Sequence, residues 1–408
     1  MMEYSKSEDE IKGGKRRNDI VCDKLTVDIF FELVKSELQA ERLDEEVVKS
    51  VTPDMLKELY ILSKKHDMIH MVAAALERHN LLGNDEISNK LRSGLYMAVW
   101  RDELRDRELQ QIYQLFEGEK IAFIPLKGAV IKDLYPEPWM RTSCDIDILV
   151  REDEVDRARD VLVSRLNYRA ETRHYHDISM YSPTEVHLEL HHCIKADKDK
   201  RDQLLGRVWE FAKPIMEGSH QYQMMSEFLM FYIFAHMASH FLHGGCGMRN
   251  FIDIWLMEKE LHYDQKVIDT YCETCGIKVF ADYARKISRI WMEDEEDDEF
   301  TKRMQNYIID NGAYGTRMSS VTSQNTVVSG KREYLLRRIF APYRNLCILY
   351  PKLADCPFLY PYYIIKRWTR LLEGKRVERT INEIKAHQNI TKDSIQDVKA
   401  LFDELGLM

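Results

Sequence analysis

Apolar residues recur at three- and four-residue intervals through the first third of the chain. This spacing places them on one side of successive helices and predicts amphipathic α-helices. Thr52 and Pro53 suit a helix cap and a first-turn proline, and a long helix is expected over residues 87–116. The pattern therefore predicts a helical N-terminal unit at residues 21–119, after a disordered lead-in at residues 1–20.

The spacing changes near residue 120, where short apolar runs and alternating segments replace the helical pattern. Alternation of polar and apolar residues is typical of a β-strand with two different faces, whereas short apolar runs suit a buried strand. Together they predict a small mixed sheet with packed helices at residues 120–195. The expected order is β-α-β-α-β-β-β, at residues 121–126, 128–135, 145–150, 152–166, 168–174, 176–181 and 185–191.

Helical spacing returns in residues 196–408 and predicts a C-terminal helical unit. The clearest segments are residues 226–242, 250–260 and 265–291, with two or three more helices after residue 331. A Ser-, Thr- and Gly-rich stretch at residues 312–330 is the best candidate for a linker. The fold class expected from these patterns is α+β, a small mixed-sheet core between helical N- and C-terminal units.

Two of the predicted strands carry acidic residues on one face. Asp145 and Asp147 alternate with isoleucines, so both carboxylates project from the same side of their strand. On the last strand the residues that share a face are Glu185, His187, Glu189 and His191. Carboxylates on adjacent strands can hold a pair of magnesium ions, although an isolated D-x-D is a weak signal.

Composition narrows the functional classes. The chain has 408 residues, 45% hydrophobic and 31% charged, and its longest apolar run is far shorter than the roughly 20 residues that span a bilayer. No secretory signal begins the chain, and its eight scattered cysteines suggest reduced thiols, so we expect a soluble, cytoplasmic protein without membrane contact.

The charge distribution bears on nucleic-acid binding. A net charge of −9 disfavours broad contact with phosphate backbones. Residues 331–379 nevertheless contain 12 Lys or Arg and 4 Asp or Glu. This basic segment keeps open an RNA-tailing or RNA-binding protein, whose affinity for RNA would fall steeply with salt.

A set of motifs resembles a known family. Leu-Lys-Gly at residues 126–128, Arg141 followed by Asp-Ile-Asp-Ile-Leu-Val at 145–150, and Leu-Glu-Leu-His at 188–191 are similar to the uncharacterised nucleotidyltransferase family of bacteria. That family is a branch of the DNA polymerase beta-like superfamily. The resemblance covers nearly the whole chain after about residue 25.

The resemblance implies a catalytic triad of carboxylates. Asp145 and Asp147 look like the first two metal ligands, and Glu189 stands where the family more often has Asp. The extra methylene of Glu moves the carboxylate by roughly 1.5 Å, so Glu185 is a rival for the third position. The ions implied are Mg²⁺ or Mn²⁺.

The resemblance also implies nucleotide-binding residues. Gly128 matches a strand-to-helix turn where backbone N–H groups approach a triphosphate, and Lys127 could replace the hydroxyl that Ala129 lacks. Arg141 could reach phosphate oxygens or pair with a catalytic carboxylate. His191 could orient a ligand or the nucleotide.

Histidines and cysteines in the C-terminal unit have competing interpretations. His240, with His236 one turn earlier and the Arg249 to Asp253 helix, could line the nucleotide cleft. Zinc binding by the two histidines and simple helix packing are the alternatives. The lone CxxC at residues 272–275 is interpreted as structural.

The function expected is Mg²⁺-dependent transfer of an NMP group, AMP by default, from an NTP to a hydroxyl or phosphate of a small-molecule or peptide acceptor. The alternative is a non-catalytic regulatory protein that keeps the fold and binds a nucleotide or a partner. The missing hydroxyl after Gly128 and the Glu at position 189 favour this alternative.

Overall fold

The computed structural model describes residues 23–194, 199–313, 356–371 and 392–408, together with residues 315, 340, 343, 346, 350 and 353. Five helices form the N-terminal part, as predicted: α1 Lys24–Gln39, α2 Glu45–Ser50, α3 Pro53–Lys65, α4 Ile69–Arg78 and α5 Glu86–Gly118.

Local chemistry sets where these helices begin. The Thr52 hydroxyl accepts a hydrogen bond from the Met55 N–H at 3.2 Å, and Pro53 occupies the first turn of α3. Asp85 caps α5 by accepting from the N–H groups of Ile87 and Ser88. The 33 residues of α5 give a helix about 50 Å long.

The predicted β-α-β-α-β-β-β core is confirmed, so the fold class is α+β. A 3-10 turn follows α6, and a second precedes β2. The elements are β1 Phe123–Pro125, α6 Gly128–Ile131, β2 Ile146–Val150, α7 Val155–Leu166, β3 Arg169–Arg173, β4 Asp177–Tyr181 and β5 His187–His191.

The five strands form one mixed sheet in the order β1-β2-β5-β4-β3. Strands β2 and β5 are parallel neighbours, and the other pairs are antiparallel. This order places β2 and β5 side by side, although α7, β3 and β4 lie between them in the chain. A crossover connects the two parallel strands.

 

The described residues of the C-terminal part are helical, as predicted, and include one small hairpin. Its helices are α8 Asp199–Leu205, α9 Ser226–Leu242, α10 Arg249–Glu260, α11 Gln265–Thr274, α12 Lys278–Glu293, α13 Glu299–Asn311, α14 Tyr360–Leu371 and α15 Lys392–Glu404. The hairpin, which the sequence did not predict, consists of β6 Ala212–Pro214 and β7 Tyr222–Met224.

Two predicted elements are wrong in detail. The helix expected over residues 265–291 is two helices, because Gly276 has a φ of 64° and breaks the helical path between α11 and α12. Glu185, expected in the last strand, lies in the turn before β5 with a φ of 61°. A residue in this left-handed conformation cannot continue the strand alternation.

Apolar side chains pack on both faces of the sheet. Ile148 and Leu188 belong to a cluster between the sheet and helices α5 and α7, which includes Leu162 of α7. Leu149, next to Ile148, belongs to a larger cluster shared by the N-terminal helices and α9 to α12. The division into separate units at residues 119 and 195 stays a prediction.

Parts of the sequence interpretation concern residues outside those described. The lead-in lies there, as do most of the linker at 312–330 and most of the basic segment at 331–379, of which α14 is the longest described piece. None of the described helices combines the length and the apolar character that a bilayer crossing requires.

Candidate active site

The candidate site lies on one face of the central strands β2 and β5. In β2, Ile146 and Ile148 point into the cluster beneath α5 and α7, so Asp147 projects from the opposite face with Leu149. In β5, Leu188 and Leu190 also point beneath the sheet. Glu189 and its alternate neighbours therefore share the face of Asp147.

The strand register sets the carboxylates side by side. Asp147 pairs with Glu189 across the parallel strands, and Leu149 pairs with His191. Among the described residues, two groups of side chains could hold a metal ion: Asp145, His187 and Glu189 form one, and Asp147, Glu189 and His191 form the other. Within each group the ligand atoms lie within 4.8 Å of one another. The three carboxylates expected at the site thus converge.

Asp147 is buried between two cationic side chains. Its Oδ1 atom accepts hydrogen bonds from Lys127 Nζ and His191 Nε2, each at 2.8 Å. Burial alone would raise the pKa of Asp147, but the Lys127 charge and the His191 hydrogen bond outweigh it and hold the pKa well below its usual range. Asp147 is therefore ionised at neutral pH.

Asp145 lies just before β2 and is half-buried. The Ser143 hydroxyl donates a hydrogen bond to its Oδ1 atom at 3.0 Å. Burial and then the nearby charge of Asp147 raise the pKa of Asp145, because both disfavour its ionised form. A cation at this site would relieve the repulsion between the two aspartates.

His191 connects the two strands. Its Nε2 atom lies 3.4 Å from Glu189 Oε2 as well as 2.8 Å from Asp147 Oδ1, and its ring stacks on His176. Burial would lower the pKa of His191, but these carboxylate acceptors raise it to about 9. The His191 hydrogen bond also lowers the pKa of Glu189. His191 is thus an imidazolium that orients both carboxylates.

Glu185, the rival for the third carboxylate, lies away from this cluster. Its side chain is largely exposed and faces Arg169 at 3.5 Å. It belongs to neither of the two groups that the described residues offer to a metal.

Lys127 and Gly128 form the turn between β1 and α6. Lys127 has a φ of 46°, and the charge of Asp147 raises the pKa of its ammonium group although burial acts in the opposite direction. A Cβ atom on Gly128 would come within 3.3 Å of the Ser143 Cβ atom. Glycine here leaves room for the serine that holds Asp145.

Arg141 does not contact the strand carboxylates. Its Nε atom donates to both oxygens of Asp253 on α10, at 2.7 and 3.0 Å, and the Tyr135 hydroxyl donates to the same carboxylate. Arg249, one turn before Asp253, donates to the Thr142 hydroxyl at 2.9 Å. Arg249 and Asp253 of α10 therefore anchor the loop that leads into Asp145. The Arg141 guanidinium pairs with Asp253 here, and its role toward phosphate oxygens stays a prediction.

Helix α9 supplies further side chains near the site. His236 is half-buried, and desolvation followed by the nearby Lys127 charge strongly lowers its pKa. His240 is exposed, and its ring lies 4.4 Å from that of His236. Neither histidine belongs to a metal group within the described part of the chain. Tyr232, one turn before His236, is buried. Burial raises the pKa of its hydroxyl, which lies near the charges of Lys127 and Asp147.

Sequence reasoning did not single out Tyr232, Ser143 or His187 as site residues. Tyr232 lies four residues before His236, so the helical spacing could have identified it. His187 was placed on the correct strand face but without a role. Ser143 carries no signal of its own, because its contact with Asp145 depends on the loop conformation.

Comparisons with known proteins identify the chain. A family model matches residues 53–293, which include all five strands of the sheet, and it assigns the protein to the nucleotidyltransferases, a class of transferases. The chain belongs to the family described as uncharacterised nucleotidyltransferase. This confirms the resemblance, although the match is shorter than the sequence motifs suggested. Comparison with curated proteins and with solved structures gives no match.

Proposed function

We propose that the protein moves an NMP group, AMP by default, from an NTP to a hydroxyl or phosphate group of a small-molecule or peptide acceptor. Family membership supports nucleotidyl transfer in general. The observation that carries the specific proposal is the position of Glu189, which lies opposite Asp147 and belongs to both groups of potential metal ligands.

The residues present fit a pair of divalent cations such as Mg²⁺ or Mn²⁺. Asp145, Asp147 and Glu189 supply the hard oxygen ligands that these ions prefer, and they lie close together on one face. Bound cations would neutralise phosphate charge and activate the attacking oxygen. In their absence Lys127 and His191 balance the charge of Asp147.

The transfer step follows from this arrangement. The acceptor oxygen forms a bond to the α-phosphorus, and the bond from that phosphorus to the pyrophosphate oxygen breaks on the opposite side. Glu189 accepts the proton of an acceptor hydroxyl, and pyrophosphate leaves with the bonding electrons. Lys127 and the backbone at Gly128 bind the phosphates, while His191 keeps the carboxylates oriented.

A turnover assay tests this proposal. The full chain is incubated with labelled ATP, GTP, CTP or UTP, with Mg²⁺ or Mn²⁺, and with a panel of sugars, aminoglycosides and peptides as acceptors. We expect metal-dependent release of pyrophosphate with one acceptor class, reduced about a hundredfold or more in Asp147→Asn. Exposed His262 provides a control, since His262→Gln leaves release unchanged.

A non-catalytic nucleotide- or partner-binding protein is the alternative. It is favoured by the two cationic side chains that already satisfy Asp147. Calorimetric titration with each NTP distinguishes the two functions. Tight binding without pyrophosphate release across the acceptor panel would support the alternative, and neither binding nor release would overturn both.

A further inference from the structure

Two imidazoles flank the three carboxylates of the site. His191 belongs to the group with Asp147, and His187 belongs to the group with Asp145. Glu189 is common to both groups. The group with Asp145 therefore offers two carboxylates and one imidazole, a mixed oxygen and nitrogen donor set, whereas the Nε2 atom of His191 is engaged by the Asp147 carboxylate. His187 is the member that neither the sequence motifs nor the metal chemistry of the proposed function required.

His187 is held in place by the neighbouring strand. Its Nε2 atom lies 2.8 Å from the Ser179 hydroxyl, and its ring stacks on Tyr181 with ring centroids 4.8 Å apart. Both contacts come from β4, where Tyr181 pairs with His187 and Ser179 pairs with Glu189. Outer hydrogen bonds of this kind fix the ring orientation of metal-binding histidines. The ring is thus oriented before any ligand binds.

The donor set favours one class of cation. Mg²⁺ prefers oxygen ligands and retains much of its water, whereas transition-series ions bind imidazole nitrogen as well as carboxylate oxygen. We infer that His187 is a metal ligand, and that the site consequently binds Mn²⁺ and related transition-series cations in preference to Mg²⁺. This inference rests on the proposed function, because it concerns the same carboxylates.

Metal binding without nucleotide provides the test. Chelator-treated full-length protein is titrated with Mn²⁺, the electron paramagnetic resonance signal of the free ion is followed, and Mg²⁺ is added as a competitor. We expect Mn²⁺ to bind at least about tenfold more tightly than Mg²⁺, and His187→Gln to weaken Mn²⁺ binding by about tenfold or more. The affinity for Mg²⁺ should change far less.

Two further variants separate ligation from a structural role. His187→Asp replaces nitrogen with oxygen, so it should shift the preference toward Mg²⁺. The control His262→Gln should preserve both affinities, and thermal unfolding of each variant checks the fold. Wild-type Mn²⁺ affinity and wild-type selectivity in folded His187→Gln would overturn the inference.

The outcomes also separate this inference from the proposed function. Mn²⁺ binding that depends on His187, without pyrophosphate release, would overturn the proposed transfer reaction but not the assignment of His187 as a metal ligand. Metal-dependent pyrophosphate release, with unchanged Mn²⁺ binding in His187→Gln, would overturn the assignment of His187 as a metal ligand but not the proposed transfer reaction. A wild-type protein that binds neither ion would overturn both.

Discussion

Asp147 and Glu189 occupy paired positions on the parallel strands β2 and β5. Their carboxylates lie on the same face of the sheet, near Tyr232 of helix α9. The pairing explains how a glutamate can supply a carboxylate beside Asp147. Adjacent parallel strands already place the two backbones side by side, so the longer side chain of Glu189 can reach a ligand position from its own strand.

Replacing Glu189 tests this relationship. Glu189→Gln removes the carboxylate charge common to both ligand groups, so Mn²⁺ affinity should fall by at least about tenfold and metal-dependent pyrophosphate release by about a hundredfold. Glu185→Gln is the matched control, because it makes the same change in the exposed turn before β5. Equal losses in the two variants would contradict the assignment of Glu189.

The strand faces were predictable from the sequence because one side of the sheet is buried. Alternation with Ile146, Ile148 and Leu188 assigned Asp147 and Glu189 to the opposite face without any knowledge of the fold. The parallel pairing of β2 with β5 is set by the crossover of the chain. The residues alone gave no register for this pair.

Contacts between residues far apart in the chain could not be predicted from local sequence patterns. Arg141 and Asp253 are 112 positions apart, and no local spacing reveals that their side chains meet. The β6–β7 hairpin has strands of only three residues and includes Pro214, so it shows too little alternation to be recognised. Gly276 is present in the sequence, but a single glycine also occurs within helices, so it did not predict the break between α11 and α12.

The buried pair of Arg141 and Asp253 should dominate local stability. Asp253→Leu leaves the buried Arg141 guanidinium without its partner, so we expect a loss of about 3–5 kcal/mol in the free energy of unfolding. Urea denaturation measures this loss. Adding Arg141→Met to Asp253→Leu should recover part of it, because an apolar pair no longer leaves an isolated charge.

A surface ion pair provides the control for this experiment. Asp54 and Lys57 lie 2.8 Å apart on exposed turns of α3, and Asp54→Asn should leave the urea midpoint unchanged. If Asp253→Leu were as mild as Asp54→Asn, the anchoring role of the Arg141 pair would be wrong.

Acid should destabilise the fold through His66. This buried histidine accepts a hydrogen bond from the Met248 N–H on Nδ1 and donates from Nε2 to the Ile309 carbonyl, so its neutral form satisfies both contacts. Burial lowers the pKa of His66 from 6.5 to about 3. Between these values the unfolded chain binds the proton and the folded chain does not.

The protein should therefore lose stability as the pH falls. The stabilisation due to neutral His66 is complete above pH 6.5 and is lost as the pH falls toward 3, by about 1.4 kcal/mol per pH unit. Urea denaturation at pH 4 to 7 should show a shallower pH dependence in His66→Gln than in the wild type. His262→Gln, on the surface, should retain the wild-type slope, and identical slopes in all three proteins would refute the assignment.

The break between α11 and α12 depends on the conformation of Gly276. Its φ of 64° is in the left-handed region, and a Cβ atom there would meet nothing within 4 Å. Any cost of Gly276→Ala is therefore conformational, and we expect about 1–2 kcal/mol of destabilisation. Gly276→Asn should cost less, because asparagine adopts this conformation more readily.

Gly118 at the end of α5 provides the matched comparison. A Cβ atom would also meet nothing within 4 Å there, but its φ is not positive. Gly118→Ala should therefore be neutral or stabilise the protein by up to about 1 kcal/mol, since alanine favours the helix. The urea midpoints of Gly276→Ala, Gly276→Asn and Gly118→Ala measure these differences in stability. Equal midpoints for Gly276→Ala and Gly118→Ala would show that the left-handed turn imposes no strain on alanine.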